Sequence, residues 1–207
     1  MLEMFPTAFA TLFVMVDPIG LTPMFAALTA GMTARKRLGI AIRAVAVAAF
    51  LMVLFGLVGD WLLATLGISL PAFRIAGGLM LFLVAVEMLF QKRTERRTQE
   101  ADKAPSEDDP SVFPLATPLI AGPGALAAML LLTAEAMTPT ASLGVFLAVG
   151  TVLGMCLATF VLTGPIERIL GDVGIRVLTR VFGMLLGALS VQFILDGLIA
   201  FWEAVPK

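Results

Sequence analysis

Long apolar runs recur along this chain. At about 18 residues or more, each can cross a hydrocarbon layer of about 30 Å as a helix. A transmembrane strand would instead alternate polar and apolar residues over about 10 positions. These runs do not alternate, so membrane helices are the expected elements. The charge content agrees. Only 14% of the 207 residues are charged, against about 25% in an ordinary soluble domain, and the mean hydropathy is +1.01.

Composition also narrows the chemistry. The single cysteine, Cys156, lies in an apolar run and has no intramolecular disulfide partner. There is no histidine and no tyrosine, which excludes imidazole ligands, a histidine base and a Ser-His-Asp triad. No clustered catalytic pair, metal-ligand set or phosphate-binding loop stands out. The expectation is a protein that is not an enzyme, with no cofactor, no bound metal and no nucleic-acid partner. The opening Met1-Leu2-Glu3-Met4-Phe5 lacks the basic region of a signal peptide, so the first apolar segment is read as retained.

Six segments can be read: 5–30, 38–66, 71–90, 112–137, 141–162 and 175–202. Between the third and fourth lies a charged stretch rich in Glu, Arg, Asp, Pro and Ser, which cannot bury an apolar face. The chain therefore divides into a first three-helix unit (1–91), a charged linker (92–111) and a second three-helix unit (112–207). Basic residues stay on the cytoplasmic side. Arg35, Lys36 and Arg37 follow the first segment; Lys92, Arg93, Arg96, Arg97 and Lys103 follow the third; Arg168 and Arg176 follow the fifth. With six crossings these loops share one side. The linker is then cytoplasmic and both termini lie outside, unless segments one and four are re-entrant.

The two halves repeat. The first segment of each carries a proline-glycine break with two prolines five residues apart: Pro18 and Pro23, then Pro118 and Pro123. Further along, Arg74-Ile75-Ala76-Gly77 corresponds to Arg180-Val181-Phe182-Gly183. Three crossings per half make the repeats inverted. The fold class is thus all-α, six transmembrane helices as two inverted three-helix repeats with broken first helices. Paired broken helices at the midplane are a recurring transporter design.

The breaks, 17–23 and 117–124, carry the candidate site. Proline within a helix removes a donor and strands the carbonyl four residues earlier. Pro18, Pro23, Pro118 and Pro123 would strand those of Val14, Ile19, Pro114 and Leu119. Gly20, Gly122 and Gly124 let the chain unwind and a ligand approach the backbone. A restarting helix presents free N–H groups to an anion. Asp17 stands at the first break. A carboxylate at membrane depth costs roughly 2.5–3.5 kcal/mol on insertion scales and needs a cation, a proton or a basic partner. Its other reading is a cap for the restarted helix. Thr22 and Thr117 line the path or bond back to their own helices. Arg74, Glu87, Arg180 and Gln192 are coupling or structural polar groups; Gln192 and Asp196 share a helical face. Gly150-x-x-x-Gly154 and Gly183-x-x-x-Gly187 suit close helix packing inside the bundle, with a homo-oligomer interface as the alternative use.

Three stretches resemble one family. Asp17-Pro18-Ile19-Gly20-Leu21-Thr22-Pro23-Met24-Phe25 looks like the first-segment signature of the MarC family of bacterial membrane proteins. The third segment, from Phe73-Arg74-Ile75-Ala76-Gly77-Gly78-Leu79 to Glu87-Met88, and the fourth, Pro114-Leu115-Ala116-Thr117-Pro118-Leu119-Ile120-Ala121-Gly122-Pro123-Gly124-Ala125, are similar to its later motifs. Where some relatives carry Asn after the glycine, this chain has Leu21-Thr22. Relatives resembling the SnatA transporter move small neutral amino acids, and the LysE exporters are similar. The resemblance implies an inner-membrane secondary transporter of the glycine or alanine class, coupled to a proton or sodium ion, with a small-molecule substrate and the lipid bilayer as partners. An exporter of other metabolites or drugs, or a non-transporting membrane protein, are the alternatives.

Overall fold

A computed structural model describes residues 3–90 and 109–204. All regular elements among them are helical. They are α1 (Phe5–Val16), α2 (Thr22–Leu28), α3 (Ala34–Leu66), α4 (Leu70–Leu89), a wound segment (Ser111–Ile120), α5 (Pro123–Glu135), α6 (Pro139–Val161) and α7 (Thr163–Ala204). The charged linker lies outside the described residues apart from positions 109–111.

Local chemistry sets the boundaries of the long helices. Thr33, Ser69 and Thr138 precede α3, α4 and α6 in extended conformation, and their hydroxyls accept from the amides of Lys36, Ala72 and Ala141. Such caps satisfy orphan donors of the first turn. Gly67 ends α3 at φ 68°, with its N–H on the Ala64 carbonyl. α7 bends at Gly171, where φ is 58°.

Four stretches are long and apolar enough to cross a membrane: Ala34–Gly59, Leu70–Leu89, Pro139–Val161 and Val173–Glu203. The wound segment and α5 make a further candidate, bent by 56°. α1 is a shorter apolar helix. The first and fourth segments are thus broken where the prolines and glycines fall.

Burial runs opposite to helix length. Ala8, Thr11, Leu12 and Val14 to Val16 of α1 are buried, as is most of α5. The long helices instead turn Leu57, Trp61, Leu83 and Met184 outward. Broken backbone is tolerated at membrane depth only when protein or a wet cavity surrounds it. The broken elements therefore take the centre, and the intact helices form a lipid-compatible shell. α4 packs along α7, α1 lies against α6, and α3 covers the wound segment and α5.

The two glycine motifs differ. Gly183 sits against Met88 and the Ala85 carbonyl, and Gly187 against Ala85, so this motif lets α4 and α7 approach closely. Gly150 and Gly154 meet nothing within 4 Å and are exposed. The expected packing inside the bundle does not hold for that pair. Both glycines fall on the outward face of α6, away from its neighbours.

Candidate functional site

α1 stops at Val16, and Asp17 turns the chain at φ 55°, a left-handed conformation that Asp tolerates better than most residues. Its N–H reaches the Phe13 carbonyl at 2.9 Å. The side chain is fully buried. One carboxylate oxygen accepts from the Gly20 N–H at 3.1 Å, and the other accepts from the Thr179 hydroxyl of α7 at 3.3 Å. Asp17 thus closes the Pro18–Gly20 turn; it does not cap α2, whose N-cap is Leu21 without a side-chain bond. A Cβ on Gly20 would collide with the Asp17 carboxylate, so a larger residue there would have to displace that side chain.

The proline carbonyl prediction needs correction. Pro18 lies beyond the end of α1, so no helix is interrupted at Val14. The carbonyl that gathers donors is that of Pro18 itself. It accepts from the Thr22 hydroxyl at 3.3 Å and from the Thr159 hydroxyl of α6 at 3.1 Å. The Ile19 carbonyl accepts from the Thr22 N–H at 3.1 Å. Buried Thr22 and half-buried Pro23 open α2.

The second break is built differently. Phe113 and Thr117 are extended within the wound segment, and both following prolines have cis peptide bonds. Wide turns take the place of helical ones: Leu115 N–H bonds the Pro110 carbonyl, and Ala121 N–H that of Ala116. Gly122 approaches the Pro118 carbonyl so closely that a Cβ would lie 2.5 Å from the oxygen. Pro118 is half-buried, whereas Thr117 is exposed and does not face the first break's buried turn. Pro123 begins α5, and Gly124 behind it is buried.

The two breaks meet at Met15. Met15, two residues before Asp17, packs its methyl group against Gly124, where a Cβ would clash. Asp17, Pro18, Gly20, Thr22 and Gly124 are thereby gathered around the meeting of α1, α2, α5, α6 and α7, with Gly122 and Pro123 at its edge. Thr159, Thr179 and Met15 complete this region without having been expected. The only sequence signal for the two threonines is that hydroxyls in apolar runs seek carbonyl or carboxylate partners; Met15 carries none.

The remaining polar residues form a separate group. The Arg74 Nε of α4 lies 3.3 Å from the Glu135 carboxylate at the end of α5, each side chain about one-fifth exposed. The approach is oblique, and among the described residues that buried nitrogen has no directed hydrogen bond. Asp196 of α7 is within electrostatic range of Glu135, and Gln192 donates to Asp196 at 2.7 Å. At 1.5 Å per residue, Glu135 stands roughly 16 Å along α5 from Gly124. This cluster is therefore not part of the breaks. Arg180 does not share the surroundings of Arg74: it is exposed, next to Thr179. Glu87 is half-buried on α4. Glu135 escaped the sequence reading, although a buried-facing arginine such as Arg74 calls for an acidic partner. Among the described residues no cluster of His, Cys, Asp and Glu could hold a metal ion.

Comparison with known proteins decides the family. The profile of the MarC family integral membrane proteins matches residues 2–202. The chain belongs to the MarC family. This MarC chain is 36% identical to a UPF0056 membrane protein of Methanocaldococcus jannaschii, covering 95% of this chain and 97% of the relative. A UPF0056 membrane protein of Archaeoglobus fulgidus is 34% identical, covering 95% and 93%. YhcE of Escherichia coli, of the same description, is 32% identical, covering 92% and 89%. No solved structure matches significantly. The MarC chain is thus an integral membrane protein.

Proposed function

We propose that this MarC-family protein is a secondary transporter of small solutes, with small neutral amino acids of the glycine or alanine class as substrates and a proton or sodium ion as the coupling species. One observation carries the proposal: a fully buried carboxylate, Asp17, stands at a helix break that touches a second break through Met15 and Gly124. A carboxylate retained at such depth costs enough to need a chemical reason.

The substrate site differs from the one drawn from sequence. The Gly20 N–H is engaged by Asp17, and the Leu21 and Thr22 amides by the Asp17 and Ile19 carbonyls. The substrate carboxylate therefore belongs at the start of α5, where the first-turn amides after Pro123 have no intrahelical partner. Asp17 then serves the substrate amine or the coupling ion. Met15 fills the space between the breaks, and its flexible thioether can turn aside for a passing solute.

The packing supports two inverted three-helix repeats. Exchanging α1 with the wound segment, α2 with α5, α3 with α6 and α4 with α7 relates two pairs of neighbours: α1 on α6 answers the wound segment on α3, and α2 on α7 answers α5 on α4. Such halves can rock about a central site. The basic loops favour an orientation in the bacterial inner membrane with the termini outside. The function requires no enzymatic step.

Uptake of labelled glycine and alanine into proteoliposomes tests the reading. Accumulation driven by a proton or sodium gradient is expected. Absence of both uptake and counterflow across a panel of amino acids, under either gradient, rejects it.

A further inference from the structure

A cavity of about 240 Å³ opens where α2, the start of α3 and the end of α6 meet. Its walls are Phe25, Ala34, Leu38, Ala41, Phe160 and Val161, with Arg37 as the one charged group. Phe25 and Phe160 stack face to face, centroids 4.4 Å apart and planes 8° from parallel. The Arg37 guanidinium lies 5.5 Å from the Phe25 centroid. That cation–π contact holds the group at the cavity rim, and Arg37 pairs with no carboxylate among the described residues. Arg35 and Lys36 are exposed on the same turn. Leu38 and Val161 continue the apolar wall onto the outer surface, 45% and 58% exposed.

We infer that this cavity binds an anionic phospholipid of the surrounding bilayer, with its phosphate on Arg37 and an acyl chain along Leu38 and Val161. The lining selects this occupant. A zwitterionic solute would satisfy Arg37 with its carboxylate but leave its ammonium against apolar walls, since no acidic or hydroxyl side chain among the described residues lines the cavity. An anionic lipid matches both parts: the planar guanidinium suits phosphate, and the walls suit hydrocarbon. Basic pockets between membrane helices on the cytoplasmic side are suited to anionic headgroups. The inference does not depend on what the central breaks carry.

Native mass spectrometry of the delipidated full chain in detergent, titrated with phosphatidylglycerol or with phosphatidylcholine of the same acyl chains, tests it. The expected result is one phosphatidylglycerol bound about fivefold more tightly than phosphatidylcholine, the preference one basic side chain at the membrane surface supplies. Arg37→Gln abolishes that preference, and Arg168→Gln, which removes an exposed charge elsewhere, keeps it. Ala34→Trp narrows the cavity from an exposed position with Arg37 in place and weakens lipid binding; it carries the test alone if Arg37→Gln does not fold. Equal binding of the two lipids, or a preference that survives both cavity variants, overturns the inference. So does a loss in Arg168→Gln matching that in Arg37→Gln. Displacement of the lipid by soluble glycerol phosphate would also overturn it, because the pocket would then be a solute site.

Discussion

Thr179 donates its hydroxyl to the Asp17 carboxylate across 162 positions of sequence, tying the turn after α1 to the outer helix α7. Asp17→Asn keeps a carbonyl oxygen for the Gly20 N–H and removes the charge. It is expected to fold with little change in melting temperature while coupled uptake falls about tenfold or more, equivalent to about 1.4 kcal/mol of barrier. Thr179→Val removes a hydrogen bond to a charged group, worth about 1.5–3 kcal/mol, and should destabilise the protein more than Asp17→Asn does. Thermal unfolding in detergent and proteoliposome uptake, measured on both variants, separate the two effects. Uptake by Asp17→Asn equal to the parent would remove the carboxylate from the mechanism.

Gly20 and Gly39 make opposite predictions. A methyl group on Gly20 runs into the Asp17 carboxylate, whereas one on Gly39 in α3 meets nothing within 4 Å. Gly20→Ala should cost about 1–3 kcal/mol, as overpacking of a filled site does. Gly39→Ala should stabilise α3 by up to about 1 kcal/mol. Melting temperatures of the two variants check this pair, and similar shifts in both would contradict the close approach at Gly20.

Arg74 and Glu135 are the polar pair joining α4 to α5. Each is about one-fifth exposed, so their coupling should fall between surface and buried values, at about 1 kcal/mol. A double-mutant cycle with Arg74→Met and Glu135→Gln measures it. Strict additivity of the two single changes would show that the oblique contact contributes nothing. Uptake should be less sensitive to this pair than to Asp17, because the pair stands away from the breaks.

Thr11 is buried in α1, and among the described residues its hydroxyl has no hydrogen-bond partner. Leaving a buried hydroxyl unsatisfied costs about 1–3 kcal/mol. Thr11→Val keeps the shape and removes that cost, so a higher melting temperature is the expected outcome. A lower one would mean that the hydroxyl has an essential partner.

Asp109 pins the start of the second half to α3, with its carboxylate 2.8 Å from the Arg43 guanidinium and accepting from the Ser111 N–H at 3.1 Å. Partial burial pushes its carboxyl upward. The bonds from Ser111 and the charge of Arg43 outweigh this and hold it below the usual carboxylate range. The folded state therefore favours the ionised form. Its stabilisation is present above the ordinary carboxylate pKa and is lost as pH falls through the lowered value. Both partners are about half exposed, so the effect is at most about 1 kcal/mol. The melting-temperature gap between parent and Asp109→Asn should be largest near neutrality and should close in acid. A gap constant with pH would refute the assignment.

Much of this architecture could be read directly from residue order, because hydropathy and helix-breaking are local properties. Unbroken apolar runs required membrane helices, and the Asp17–Pro23 and Thr117–Gly124 stretches marked where helices end. What local chemistry could not supply was the assignment of partners. Proline at position 18 suggested stranded carbonyls within a helix, but α1 had already ended, so the Pro18 carbonyl became the acceptor for Thr22 and Thr159. The repeat made Arg74 and Arg180 look equivalent, yet only Arg74 faces an acid, because Glu135 has no counterpart at the end of α2.

Residue order alone determined that the chain enters a membrane as helices, and that two of its segments are interrupted. Only the tertiary structure decided that the interrupted pieces take the centre, that Met15 and Gly124 bring them together, and that Thr179 holds Asp17. The physical reason is range. Helix formation and membrane insertion depend on neighbours a few residues apart, whereas burial of a carboxylate depends on groups brought together from distant parts of the chain.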